Sequence, residues 1–147
     1  MQLEYLSLPL SLDKIMHPRE GRENLAKCSL SESVKQHLRL LYTTSLAELP
    51  GDPDFGCGIW EHDFDNVTSG YKLKEVFRQS LCDTIDKYEK RLRQVRVEIG
   101  FHQQEISSSG QAVGVKKRID IIVTAMFVLT NEKFNYRYSF FVGPLSY

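Results

Sequence analysis

Cysteine is scarce, tryptophan occurs once, and no stretch of the sequence is apolar for long. The three cysteines, Cys28, Cys57 and Cys82, are odd in number and widely spaced. That excludes a disulfide framework and is the usage of a reducing compartment. No apolar run approaches the roughly 18 residues that a membrane span requires, so direct membrane insertion is not expected. Net charge is zero, which lacks the basic excess of a nucleic-acid-binding domain. Internal repeats, heptads and low-complexity segments are missing as well. The opening MQLEYLSLPLSLDK carries an acid before its short apolar stretch and has no small-residue cleavage site. A signal peptide is therefore not expected, and the cytoplasm is the expected location.

What is present is ordinary globular usage: 147 residues, 41% hydrophobic and 26% charged. This is one domain's worth of chain, able to bury a real core without staples. The charges are unevenly spread. Residues 1–70 hold 6 basic and 11 acidic side chains, and residues 71–147 hold 13 and 8. An all-acidic stretch from Glu48 to Asp65 includes Asp52, Asp54, Glu61 and Asp63, and it stands against a basic belt of Lys87, Lys90, Arg91, Arg93 and Arg96. Such regions either pair within the monomer or orient it in an assembly.

Residues 1–28 contain Pro9 and Pro18 and read as an arm with one short helical turn, docked through Leu3, Leu6, Leu8, Leu10 and Ile15. The remainder, 29–147, reads as a single domain. Ser29 and Glu32 have capping-box spacing, and Leu30, Val34, Leu38 and Leu41 repeat at helical period, so a helix is predicted over 30–43. Pro50, Gly51, Pro53, Gly56 and Gly58 break the chain after it. Leu73, Val76, Phe77, Leu81, Ile85 and Tyr88 predict the inner face of a second helix, with Ser69 as its N-cap. The period then falls to two: Val95, Val97, Ile99 and Phe101 predict a half-buried strand. Residues 105–114 read as a Ser/Gly/Gln loop. Residues 119–129 read as a central strand covered on both faces, and Phe134, Tyr136, Tyr138 and Phe140 alternate in a third strand. The fold class is α+β, with two helices packed on one face of a small, mainly antiparallel three-stranded sheet. Such a sheet has two edges that are either blunted by charge or available to a partner's strand.

Catalytic chemistry finds little support. Glu61, His62 and Asp63 beside Cys57 are neighbours in sequence, and neighbouring side chains diverge rather than converge on one atom. Cys57 and His62 lack a second pair at zinc spacing, His102 being the nearest further candidate. No metal, cofactor or small-molecule substrate is implied. Phe55-Gly56-Cys57-Gly58 has the wrong glycine spacing for a phosphate loop. It does suit a tight structural loop, with Gly56 and Gly58 at positive φ or close backbone approach and Cys57 buried between them. At the junction of the second helix and the first strand lies Tyr88-Glu89-Lys90-Arg91-Leu92. A carboxylate and a guanidinium two positions apart outside a helix can face the same way, leaving Arg91 placed for a bidentate contact.

Taken in order, the Phe-Gly-Cys-Gly-Ile loop at 55–59, the amphipathic helix ending in Glu89-Lys90-Arg91 and the Val95/Val97 strand resemble the sheath-initiator baseplate proteins of contractile tails. That family includes a phage wedge subunit once labelled lysozyme-like and TssE of type VI secretion. The resemblance covers roughly residues 29–142. It implies a non-enzymatic adaptor that nucleates sheath assembly by β-strand augmentation, here around Phe134, Tyr136, Tyr138 and Phe140 or the strand at 95–101. It also implies docking on the wedge through a Glu-Pro-Arg motif, which maps to Glu89 and Arg91, with Lys90 in place of the proline. The implied partners are TssF/TssG-like and TssK-like wedge proteins and sheath subunits. In a type VI machine the baseplate sits at the cytoplasmic face of the inner membrane. The old label leaves a murein hydrolase as the competing class, for which Glu48 and Asp63 are the candidate carboxyls. A generic protein-binding module is the third.

Overall fold

The computed structural model describes residues 4–16, 25–61, 70–108 and 111–142, with backbone alone at 14–15, 70, 104–108 and 111–116. In chain order the elements are β1 (Tyr5–Leu6), α1 (Leu12–Met16), β2 (Lys27–Cys28), α2 (Leu30–Thr43), α3 (Gly70–Tyr88), β3 (Leu92–Ser108), β4 (Gln111–Phe127) and β5 (Lys133–Val142). A 3-10 turn spans Gly58–Glu61.

Helix α2 starts where the sequence supplies its cap. Ser29 is extended, and its Oγ accepts from the Glu32 amide at 3.2 Å, satisfying one of the orphan donors of the first turn. The inner face of α2 is Val34, Leu38, Leu41 and Tyr42, all buried. Helix α3 contributes Phe77, Leu81 and Ile85. Val76, expected on the same face, is 55% exposed, because the inward stripe of α3 is narrower than the run of apolar residues. The expected cap Ser69 lies outside the described residues.

The sheet is the antiparallel meander β3-β4-β5. Val97, Ile99, Ile119, Ile121, Val123, Ala125 and Phe134 form the layer beneath the helices, with α3 packed over β3 and α2 reaching β5. Burying each valine, isoleucine or phenylalanine of this layer contributes about 1.5–3 kcal/mol. The central strand β4 ends at Phe127, and Val128 and Leu129 are exposed in the turn that follows. Among the described residues no helix covers its second face, in contrast to the expectation from its apolar run. There Asp120 is buried by neighbouring long side chains, with His102 Nε2 at 3.2 Å, Arg118 Nε at 3.1 Å and Arg137 Nη2 at 3.3 Å. Burial pushes its carboxyl up, but Ser139 and the two guanidinium groups outweigh this and hold it below the usual range.

One expectation is corrected by backbone pairing. Residues 105–114 are largely not a loop: Glu105 pairs with Val115, Ile106 with Gly114 and Ser108 with Gln111, across a register shift at Ile106/Ser107. A ribbon satisfies its amides whatever its side chains, so polar composition did not preclude a ladder. The β5 pairing ends at Val142 opposite Lys117, and the β3-β4 hairpin runs on beyond that point.

The arm also differs. It is tied on by polar contacts: β1 pairs with β2 (Tyr5↔Cys28), the Ser7 amide donates to the Ala26 carbonyl at 2.8 Å, and the Leu8 amide donates to Gln36 Oε1 of α2 at 2.9 Å. Leu6, Leu8 and Leu10, expected as its anchors, are 40–48% exposed. Leu3 and the side chain of Ile15 are outside the described residues.

Candidate docking site

Glu89 directly follows α3 and is 1% exposed, the most deeply buried acid among the described residues. Its carboxylate is saturated from three directions. Arg91 Nε donates to Oε1 at 2.7 Å and Arg91 Nη2 to Oε2 at 2.5 Å, a bidentate pair. The Arg91 amide donates to Oε1 at 3.1 Å, and His37 Nδ1 donates to Oε2 at 2.9 Å from α2. Burial raises the Glu89 carboxyl, yet the bonds from Arg91 and His37 outweigh it and bring it down to about 2. The Arg91 guanidinium is in turn held by Ser33, to whose Oγ its Nη1 donates at 2.8 Å. Three of its five N–H groups thus have partners among the described residues, and its side chain remains 28% exposed.

The turn that aims this pair forms without proline. The Leu92 amide donates to the Glu89 carbonyl at 3.2 Å, which makes Lys90 and Arg91 the two central residues of a β-turn. The bond from the Arg91 amide to the Glu89 side chain closes it from inside. Lys90 points away and donates from Nζ to the Asp86 carbonyl at 2.6 Å.

The glycine loop packs beside this centre. Gly56 has φ +128°, and a Cβ there would lie 2.6 Å from the Thr44 carbonyl oxygen and 2.8 Å from that of Ser45. The close approach allows the Cys57 amide to donate to the Thr44 carbonyl at 2.8 Å. Gly58 differs from expectation: its φ is not in the left-handed region, and a Cβ would make ordinary contacts at 3.5 Å or more. Cys57 and Ile59 are each 1% exposed, and burial pushes the Cys57 thiol up to about 11. Phe55 stacks on His37 and meets Tyr88 edge-on, with centroids 6.2 and 5.2 Å away. The loop therefore braces the histidine that holds Glu89.

Much of the acidic stretch and the basic belt is paired within the chain. Asp54 takes Lys87 at 2.8 Å, Asp52 accepts from the Tyr88 hydroxyl at 2.8 Å, and Arg93 donates to Asn131 at 2.5 Å. Of the candidate hydrolase carboxyls, Glu48 is exposed and accepts the Ser45 amide at 2.7 Å. Asp63 and His62 lie outside the described residues, among which no group of metal-ligating side chains occurs.

Phe134, Tyr136, Tyr138 and Phe140 lie on an edge strand, as expected, but their side chains face the helices rather than the edge. Phe134 is buried against Phe127, Tyr138 packs on Tyr42 with centroids 5.9 Å apart, and Phe140 on Trp60 at 5.1 Å. What the edge presents is main chain. β5 pairs with β4 over ten consecutive residues without a register break. The opposite edge strand, β3, carries a register shift between Arg93 and Arg96 with Gln94 at φ +54°.

The family model for baseplate wedge protein gp25 matches residues 28–132, a span that contains the glycine loop, α3, the Glu89–Arg91 turn and most of the sheet. The chain belongs to the baseplate wedge protein gp25 family. This makes it a structural baseplate protein by descent. Its fold is shared with a tail lysozyme, so described, from Geobacter sulfurreducens: TM-score 0.57 at 22% identity, over 83% of this chain and 99% of that one. A chain of the baseplate complex from the type VI secretion system aligns with TM-score 0.49 at 18% identity, over 75% and 91%. Among curated proteins none matches the sequence. The gp25-family assignment rests on the residues matched by the family model.

Proposed function

We propose that this gp25-family chain is the adaptor of a contractile injection machine of the type VI secretion kind, docking on the wedge and nucleating the sheath. The observation that carries the reading is the pairing of an uninterrupted edge strand with a fixed, part-exposed arginine on one small domain. The edge of β5 offers main-chain donors and acceptors to an added strand, and its regular ten-residue ladder is the better template than bulged β3. Arg91, held by Glu89 and Ser33, presents its remaining donors to a carboxylate on the wedge. The wedge partners of this reading are TssF/TssG-like and TssK-like proteins, and the assembly lies in the cytoplasm at the inner membrane.

The test is co-expression with the neighbouring wedge and sheath proteins and affinity capture of wild type, Arg91→Ala and Phe141→Lys. Phe141 is 56% exposed on β5, so a lysine there discourages strand addition without opening the core. Loss of wedge proteins from Arg91→Ala, and of sheath from Phe141→Lys, is the expected result. Equal recovery of both partner sets by all three baits would overturn the reading.

A further inference from the structure

Arg91 has a neighbour that the family match does not include. The matched residues begin at 28, and the aromatic ring of Tyr5 lies upstream of them, with the Arg91 Cζ 5.5 Å from its centroid. The distance is within the range at which a guanidinium is attracted by the electron-rich face of an aromatic ring. Tyr5 does not hang there freely. It pairs with Cys28 in the β1-β2 ribbon, and the following residues are bonded to Gln36: the Leu8 amide donates to Gln36 Oε1 at 2.9 Å, and Gln36 Nε2 donates to Ser7 Oγ at 3.2 Å.

The anchors share one stripe of α2. Ser33 holds Arg91, Gln36 holds the arm and His37 holds Glu89, and residues three and four apart on a helix face the same side. The arm and the docking pair are therefore set on the same rail. Glu89 fixes the guanidinium in its own plane through two parallel bonds and Ser33 takes a third donor, but in-plane bonds leave motion normal to that plane unopposed. An aromatic ring over the group opposes it.

We propose that β1 is part of the wedge-docking surface and that Tyr5 is a positioning residue for Arg91, holding its guanidinium ready for a carboxylate of the partner. This rests on the docking role given to Arg91 above. Preorganising a charged fork lowers the ordering cost of binding and shows mainly in a slower dissociation rate.

The experiment measures wedge-complex association and dissociation rates for wild type, Tyr5→Phe, Tyr5→Leu, Tyr5→Ala and Arg91→Ala, each checked by a cooperative thermal melt to be folded at the assay temperature. Phenylalanine keeps the ring face and leucine keeps apolar bulk without it. The expected result is wild-type binding by Tyr5→Phe and about a three- to tenfold faster dissociation of Tyr5→Leu and Tyr5→Ala, the ratio that a lost cation–π contact produces. Wild-type rates in Tyr5→Leu and Tyr5→Ala, with Arg91→Ala still impaired, would overturn the positioning role alone. Tighter binding by Tyr5→Ala would overturn it too, making the arm a competitor for Arg91. An Arg91→Ala variant that binds as well as wild type would instead remove the docking reading beneath it.

Discussion

Glu89 is a single carboxylate that joins two helices, a turn and the arginine proposed for docking, and its charge state governs all four. A carboxyl lowered to about 2 in the folded chain from roughly 4.3 unfolded stabilises the fold fully above the unfolded value. That contribution fades as pH falls from about 4.5 toward 2. Urea unfolding at pH 6 and at pH 3 should show wild type losing stability over this window, and Glu89→Gln should flatten that limb while starting from a less stable fold at pH 6. The glycines of the adjacent loop give a sharper contrast. Gly56→Ala must strain a left-handed φ and meet two carbonyl oxygens below 3 Å, so a loss of at least about 2 kcal/mol is expected from thermal melts. Gly58→Ala meets only ordinary contacts and should stay within about 0.5 kcal/mol.

The turn after α3 can be read against the family's Glu-Pro-Arg pattern at the level of the element. Lys90 occupies the first central position of the turn closed by the Leu92 amide, the position at which proline is favoured. Lys90→Pro should therefore be accepted and should raise stability by about 0.4–1 kcal/mol through a stiffer unfolded chain. A cooperative melt at a lower temperature would show that the backbone of Lys90 is incompatible with the ring. Elements of this kind were legible to differing degrees. Helix α2 could be placed at 30–43 because Ser29, Glu32 and the leucine period all act within a few residues of each other. The burial of Glu89 could not, since it depends on His37 and Ser33, more than fifty positions away. The β1-β2 ribbon escaped notice for another reason: two-residue strands have no period. The full length of the β3-β4 hairpin was hidden because serine, glycine and glutamine suit both a loop and a ribbon that lies outside the core.

For the whole molecule, protection against amide exchange should follow the distance from the helices. The amides of Ile119, Ile121 and Val123 lie in the central strand under the core and should exchange only on global unfolding. Those of the hairpin at 103–108 and 111–116 should exchange faster by orders of magnitude, by local opening. Hydrogen exchange read by mass spectrometry would check this, and uniform protection along β3 and β4 would contradict it. The sheet order could be anticipated because consecutive strands separated by short links form a meander. The identity of the regular edge could not, because a register shift such as that at Arg93/Arg96 leaves no mark in composition.

The order β3-β4-β5 also matters to a chain still leaving the ribosome. Helices α2 and α3 are synthesised before any strand of the three-stranded sheet, yet the ring of Tyr42 on α2 and that of Trp60 rest on Tyr138 and Phe140 of β5. A nascent chain that has reached only β4 leaves those two rings facing water. Completion of the layered domain, and with it the regular edge formed by β5, therefore waits for the last strand of the meander. If the proposed strand addition at β5 holds, a product truncated before β5 lacks the edge it requires, and competence for assembly is tied to completed synthesis.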